Sequence, residues 1–153
     1  MVDIPPAIEV TTRIKARPEV VFSFLVDPAL YVRWQGINAD LDPQPGGRYR
    51  VEVQPGGFAS GRFVTVDPPR RVVFTWGWEG DPNVPPGSST VEVTLEADAD
   101  ETILRLRHSG LPSAPAVDQH AEGWHHYLGR LTIVGSGADP GRDAQLDRRS
   151  DRG

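Results

Sequence analysis

Apolar and polar residues alternate along most of this chain, and the period changes at only three places. Ile8, Val10, Thr12 and Ile14 face one way and Glu9, Thr11 and Arg13 the other, which predicts a half-buried strand. Pro18 then suits a first helical turn, with Glu19 near the positive helix end. Val21, Phe22, Phe24 and Leu25 give that helix its apolar face through Val26. Asp27-Pro28 ends it and starts a short second helix carrying Leu30, Tyr31 and Trp34. From Asp40 the period is two. Tyr49, Val51 and Val53 alternate with Arg48, Arg50 and Glu52, and Gly61 to Val66 follows beyond the turn Pro55-Gly56-Gly57. Val72, Phe74, Trp76 and Trp78 share one side of the next strand. A Pro- and Gly-rich loop from Gly80 to Ser88 leads to Thr90–Ala97 and, through the tight link Asp98-Ala99-Asp100, to Thr102–Ser109.

The period changes again at Ser113, a cap residue before the one long helical pattern, residues 116–134. Val117, Ala121, Trp124, Leu128 and Leu131 recur at spacings of four, three, four and three, one apolar stripe that Trp124 and Tyr127 enlarge. A face that large must lie on something, and the sheet is the partner available. Strands joined by short turns are antiparallel, and helices that cover one face leave the other wet. The residues predicted to point outward (Arg50, Glu52, Thr75, Glu92, Thr94, Glu96, Arg105, Arg107) are mostly polar, as this requires.

Composition narrows the classes. With 38% hydrophobic and 24% charged residues the chain is globular, and 153 residues can bury a real core. The net charge of -5 argues against nucleic acid and anionic membrane as partners. No apolar run approaches membrane-spanning length and the N-terminus shows no secretory pattern. Zero cysteines remove thiolate chemistry and disulfides, and a cytoplasmic location is expected. Residues 137–153, rich in Gly, Arg and Asp, read as a disordered tail after a single domain spanning 1–136.

Four segments resemble a known family. They are Ala16-Arg17-Pro18-Glu19-Val20-Val21-Phe22, then Pro45-Gly46-Gly47-Arg48-Tyr49, then Val66-Asp67-Pro68-Pro69-Arg70-Arg71-Val72-Val73-Phe74-Thr75-Trp76, and Gly123-Trp124-His125-His126-Tyr127-Leu128-Gly129-Arg130-Leu131. In this order, across residues 7 to 135, the chain resembles the helix-grip (START, polyketide cyclase-like, SRPBCC) superfamily. Within it, it is similar to the bacterial group named after the activator of the heat-shock-protein-90 ATPase. The resemblance implies an α+β fold: a curved antiparallel sheet of about six strands around the long C-terminal helix, with two short helices after the first strand. It does not imply the co-chaperone activity, which in the eukaryotic proteins goes with an additional N-terminal domain.

The aromatic set Trp34, Tyr49, Phe63, Phe74, Trp76, Trp78, Trp124 and Tyr127, with Leu128, is predicted to line a cavity between sheet and long helix, where a small hydrophobic or aromatic molecule binds. The alternative is that these rings simply fill the core. Trp is uncommon as pure filler, because its N–H needs a partner when buried. Gly61 permits a bulge, so the face taken by Phe63 stays open. Gly80–Ser88 and Trp34–Asp40 would gate the cavity. His108, on the inward side of its strand, is either a polar contact to the ligand or a core histidine satisfied by backbone or by the Trp124 N–H. His120, His125 and His126 read as residues of the helix's wet side, since adjacent helical positions diverge by about 100° and none pairs at i, i+4. No metal, cofactor or catalytic set is expected. The partner is a small hydrophobic ligand, with the chain a monomer or homodimer. Two other functions stay open: a cyclase- or aromatase-like enzyme using His108 in the same cavity, and a protein-interaction module of stress response or regulation.

Overall fold

Local chemistry decides where each helix begins. The computed structural model describes residues 5–144 and 146. Helix α1 (Pro18–Val26) opens with Pro at its first turn and Glu19 beside the unpaired N–H groups. Asp27 caps α2 (Pro28–Tyr31) by accepting from the Ala29 N–H at 3.0 Å. Ser113 does the same for the long helix α3 (Ala114–Gly135), accepting from the Ala116 N–H at 3.2 Å.

The strands are β1 (Ile8–Ile14), β2 (Asn38–Leu41), β3 (Arg48–Gln54), β4 (Gly57–Asp67), β5 (Arg71–Trp76), β6 (Ser89–Asp98) and β7 (Glu101–Ser109). They form one open antiparallel sheet in the order β1-β7-β6-β5-β4-β3-β2. The strand count is seven rather than six. The added strand, β2, pairs Asn38–Leu41 with Glu52–Tyr49 of β3 at the sheet edge. Only Leu41 of its four residues is buried, so its sequence carries almost no alternation to detect. β4 also starts four residues earlier than the pattern suggests. Its register slips between Phe63 and Thr65, and Phe63 lands on the buried face, 1% exposed.

Helix α3 crosses one face of the sheet. Toward its C-terminus it approaches β1: Thr132 hydrogen-bonds Thr12 at 3.1 Å, and a methyl group on Gly135 would come within 2.7 Å of Ile14. Toward its N-terminus it meets β5 and β7, where the Trp124 ring packs at 5.2 Å from Trp76 and 6.0 Å from His108. The far face of the sheet is wet and carries ion pairs, among them Arg71–Glu92, Arg105–Glu96 and Arg50–Glu79.

Residues 137–144, read from composition as the start of a tail, run back along α3. Arg130 donates to the Gly141 carbonyl at 3.1 Å, and Asp143, 6% exposed, hydrogen-bonds His126 at 2.8 Å. Residues 147–153 of that tail lie outside the described residues.

One backbone crossing shapes the end of the sheet. Gly77 passes so close to the 80–88 loop that an added methyl group would sit 1.7 Å from the Pro85 carbonyl oxygen. The loop is held there by Trp78 N–H donating to Val84 C=O at 2.7 Å. Gly77→Ala must therefore push the loop off the sheet. The expected cost is about 2–3 kcal/mol, as for overpacking in a filled interior, read as a lower urea midpoint.

Candidate ligand-binding cavity

The inward residues of β3, β4 and β5 meet as rings. Tyr49 stacks on Phe74 with centroids 4.1 Å apart and planes inclined by 15°, and Phe63 packs edge-on against both. Tyr49 is fully enclosed, and its hydroxyl donates to the Tyr31 hydroxyl, which in turn donates to Gln35 Oε1. Burial raises both phenol pKa values, so both stay protonated donors. Trp34 is 2% exposed and gives its indole N–H to the Phe24 carbonyl at 2.9 Å. Leu128 lies in the same packed cluster. These five side chains, all candidates from the sequence, fill space.

Beyond them, at the end of β5, the packing opens. A cavity of about 440 Å³ lies between α3, the end of β3, Trp78 and the 80–88 loop. From the sequence-based candidates it brings together Trp76, Trp78, Trp124 and Tyr127. Around these stand residues the sequence did not single out: Gln35, Val53 and Gln54 from one side, Val84 from the loop, and Gln119, His120 and Gly123 from the helix. Two carboxylates, Asp81 and Glu122, complete the lining. The gate segments read from the sequence contribute Gln35 and, from the loop, Asp81 and Val84.

The indoles form one continuous surface. Trp76 sits centrally, with Trp78 at 5.4 Å and 83° and Trp124 at 5.2 Å and 53°. Their N–H groups have different fates. Trp124 donates to His108 Nδ1 at 2.9 Å, and Trp78 donates to His120 Nε2 at 2.9 Å. Trp76, only 2% exposed, has no hydrogen-bond partner for its Nε1 among the described residues.

His108 does not line the cavity. Because Nδ1 accepts from Trp124, the ring proton sits on Nε2 and donates to Ser89 Oγ at 2.8 Å. Ser89 then donates to the Trp76 carbonyl at 2.8 Å. Burial, reinforced by His120, lowers the His108 pKa to about 3, so the ring is neutral with both nitrogens engaged. Of the two sequence-based readings, the geometry is that of the core histidine tied to Trp124.

The helix histidines need a correction. His125 is exposed, but His120 is 8% exposed and His126 is half-buried. His120 keeps its proton on Nδ1, donating to Ala116 C=O at 2.7 Å, and burial lowers its pKa. It stands four residues before Trp124 and seven before Tyr127, squarely on the buried face, and a ring nitrogen that accepts an indole N–H makes that burial tolerable. Tyr127, on the same face, has its pKa pushed up to about 12 by burial and by Asp143, against a lowering influence of Arg130.

An open antiparallel sheet with a long C-terminal helix across one face and two short helices after the first strand defines the helix-grip class. Residues 15–135 match the family described as Activator of Hsp90 ATPase homolog 1-like protein, and the chain belongs to it. Among curated proteins no significant match is found. Among solved structures, the chain is similar to an AHSA1-like protein from Rhizobium etli at 46% identity, covering 92% of this chain and 89% of that one, with a TM-score of 0.70. It is similar to CalU16 from Micromonospora echinospora at 29% identity, covering 95% and 82%, with a TM-score of 0.72. It is also similar to DynU16, a protein of the dynemicin biosynthetic locus, at 25% identity and a TM-score of 0.77, covering 89% of this chain. The chain spans about half the length of DynU16. Among the described residues no helix is long and apolar enough to cross a membrane.

Proposed function

We propose that this protein binds one small, largely apolar, planar molecule in the cavity between α3 and the end of the sheet, without chemistry on it. One observation carries the reading. Trp76 Nε1–H is buried beside an opening of about 440 Å³ and is given nothing to bond among the described residues. A buried donor without a partner costs about 1–3 kcal/mol, and such groups are rare in native interiors unless water or a ligand supplies the acceptor. The volume falls among those of small-molecule sites, and three indoles and a phenol with a few polar groups make a lining of the usual kind. Binding would be driven by apolar burial, with the Trp76 N–H fixing orientation through a carbonyl or hydroxyl oxygen. The engagement of both His108 nitrogens supports a binder over an enzyme that moves a proton with this ring.

A neutral planar ketone, 6-propionyl-2-dimethylaminonaphthalene, tests the reading. Its emission is expected to shift to the blue saturably at one molecule per chain. Trp78→Ala is expected to weaken binding about tenfold, as loss of one aromatic wall does. Val64→Ala, on an exposed position of the far face, is expected to leave affinity unchanged. Absence of a saturable shift, or equal affinity in Trp78→Ala, would overturn the proposal.

A further inference from the structure

Charge is distributed unevenly around the cavity, and this narrows the guest. Asp81 and Glu122 are the charged side chains that line it, and among the described residues no lysine or arginine does. The three arginines closest in the sequence to lining residues are committed elsewhere. Arg33 lies over the Phe24 ring at 5.8 Å. Arg50 makes a two-pronged pair with Glu79 at 2.8 and 3.0 Å, and Arg130 donates to the Trp34 and Gly141 carbonyls. His120 offers no positive charge either. Its Nε2 accepts from Trp78 and its Nδ1–H is spent on Ala116, so a second ring proton would collide with the indole donor.

The geometry points to a cationic guest: a planar aromatic ring bearing an alkylamine, protonated at neutral pH, together with a hydrogen-bond acceptor. This deepens the binding reading above and rests on it. An ammonium is attracted by indole faces through the ring quadrupole, and three indoles border this space. The carboxylates supply the counter-charge. Asp81 turns one oxygen inward to its own loop, where Oδ1 accepts from the Asn83 N–H at 2.8 Å and the Val84 N–H at 3.4 Å, and none of these bonds uses Oδ2. The unpartnered Trp76 N–H is an observation separate from the acids, and it asks for an oxygen or nitrogen acceptor on the same molecule. An anionic guest such as a fatty acid or an aryl carboxylate would sit beside two like charges with no lining lysine or arginine to pair with, among the described residues.

Three indole probes of similar shape separate the charge rule from the binding reading itself: tryptamine, indole-3-acetamide and indole-3-acetate, cation, neutral and anion, each carrying a 5-methoxy group whose oxygen can accept from the Trp76 N–H and named below without it. Each is titrated by calorimetry into the full chain and into the double variant Asp81→Asn, Glu122→Gln. Asparagine keeps the Oδ1 that holds the loop, so the fold survives, which an unchanged melting temperature checks. Tryptamine is expected to bind about tenfold or more tighter than indole-3-acetate, with the amide between them. In the double variant the gap is expected to close from both ends while the amide keeps its affinity. Rising ionic strength narrows the gap in the parent chain. Indole-3-acetate binding as tightly as tryptamine, or a gap of the same size in the double variant, would overturn the charge rule and leave the cavity a binding site. Failure of all three at roughly 5 mM, where a Kd of about 1 mM is already mostly filled, would overturn both.

Discussion

Trp124→Ala is expected to lower the unfolding free energy by about 4 kcal/mol, most of what a small domain holds in reserve. Three losses add. The indole is 2% exposed and packs on Trp76 and His108, so its removal leaves a hole that a helix pinned at both ends cannot close. The His108 Nδ1 loses its donor while staying buried. The chain from Trp124 through His108 and Ser89 to the Trp76 carbonyl then has a free end, and Trp76 loses a fixed neighbour. Trp124→Phe keeps most of the volume and gives up the N–H, so it is expected to cost about half as much. Urea unfolding of both variants checks this. Similar costs for the two would mean that the hydrogen bond, rather than volume, dominates. A cost under about 1 kcal/mol for Trp124→Ala would mean that the indole does not support the core.

Acid is expected to destabilise the protein well above the range in which carboxylates titrate. The His108 pKa is about 3 in the folded chain, against about 6.5 in the unfolded one. Below pH 6.5 the unfolded chain takes up a proton that the folded chain refuses. Stability is therefore complete above about pH 6.5, falls as pH drops toward 3, and changes no further from this group below that. By pH 4 the loss from His108 alone is about 3 kcal/mol. His120, also lowered by burial, adds to the slope in the same direction. Glu52 and Glu79, held below their usual range by Asn38 and Arg50, add their own losses only at lower pH. The window from pH 6.5 to 5 thus belongs to the histidines. His108→Gln is expected to be less stable than the parent at pH 7 and to show a flatter slope in that window. Equal slopes would mean that His108 is accessible to protons in the folded state.

The architecture was legible because each element repeats a period. Inward Val and Leu on β6 and β7 and the stripe of α3 are dictated by simple alternation, and the caps at Asp27 and Ser113 declare the helix starts. β2 was not legible, since Asn38, Ala39 and Asp40 have no apolar face and take their conformation from the β3 edge. The site was half legible. Alternation shows that Tyr49, Phe74 and Trp76 point inward, but not whether they meet another ring or open space. That depends on position along the strand, and Trp76 and Trp78 come last, where the sheet outruns the packed core. His120 could have been found: its spacing to Trp124 and Tyr127 places it on the buried face, whereas the wet-side reading weighed the helix histidines only as metal ligands. Asp81 and Gln35 were legible only as members of the two gate segments, because loop residues reach the cavity through turns that carry no period to say which side chain lines it. The Asp143 contact to His126 was hidden in a segment whose composition resembles solvated chain.

The four indole N–H resonances of ¹⁵N-labelled protein test the binding claim most directly. With unlabelled indole-3-acetamide, whose carbonyl can accept the spare proton, the Trp76 signal is expected to move downfield and saturate. Trp78 and Trp124 should follow to a lesser degree, and Trp34, bonded to the Phe24 carbonyl away from the cavity, should stay still. Four unmoved signals, or a Trp34 shift as large as that of Trp76, would contradict the placement of a guest beside Trp76.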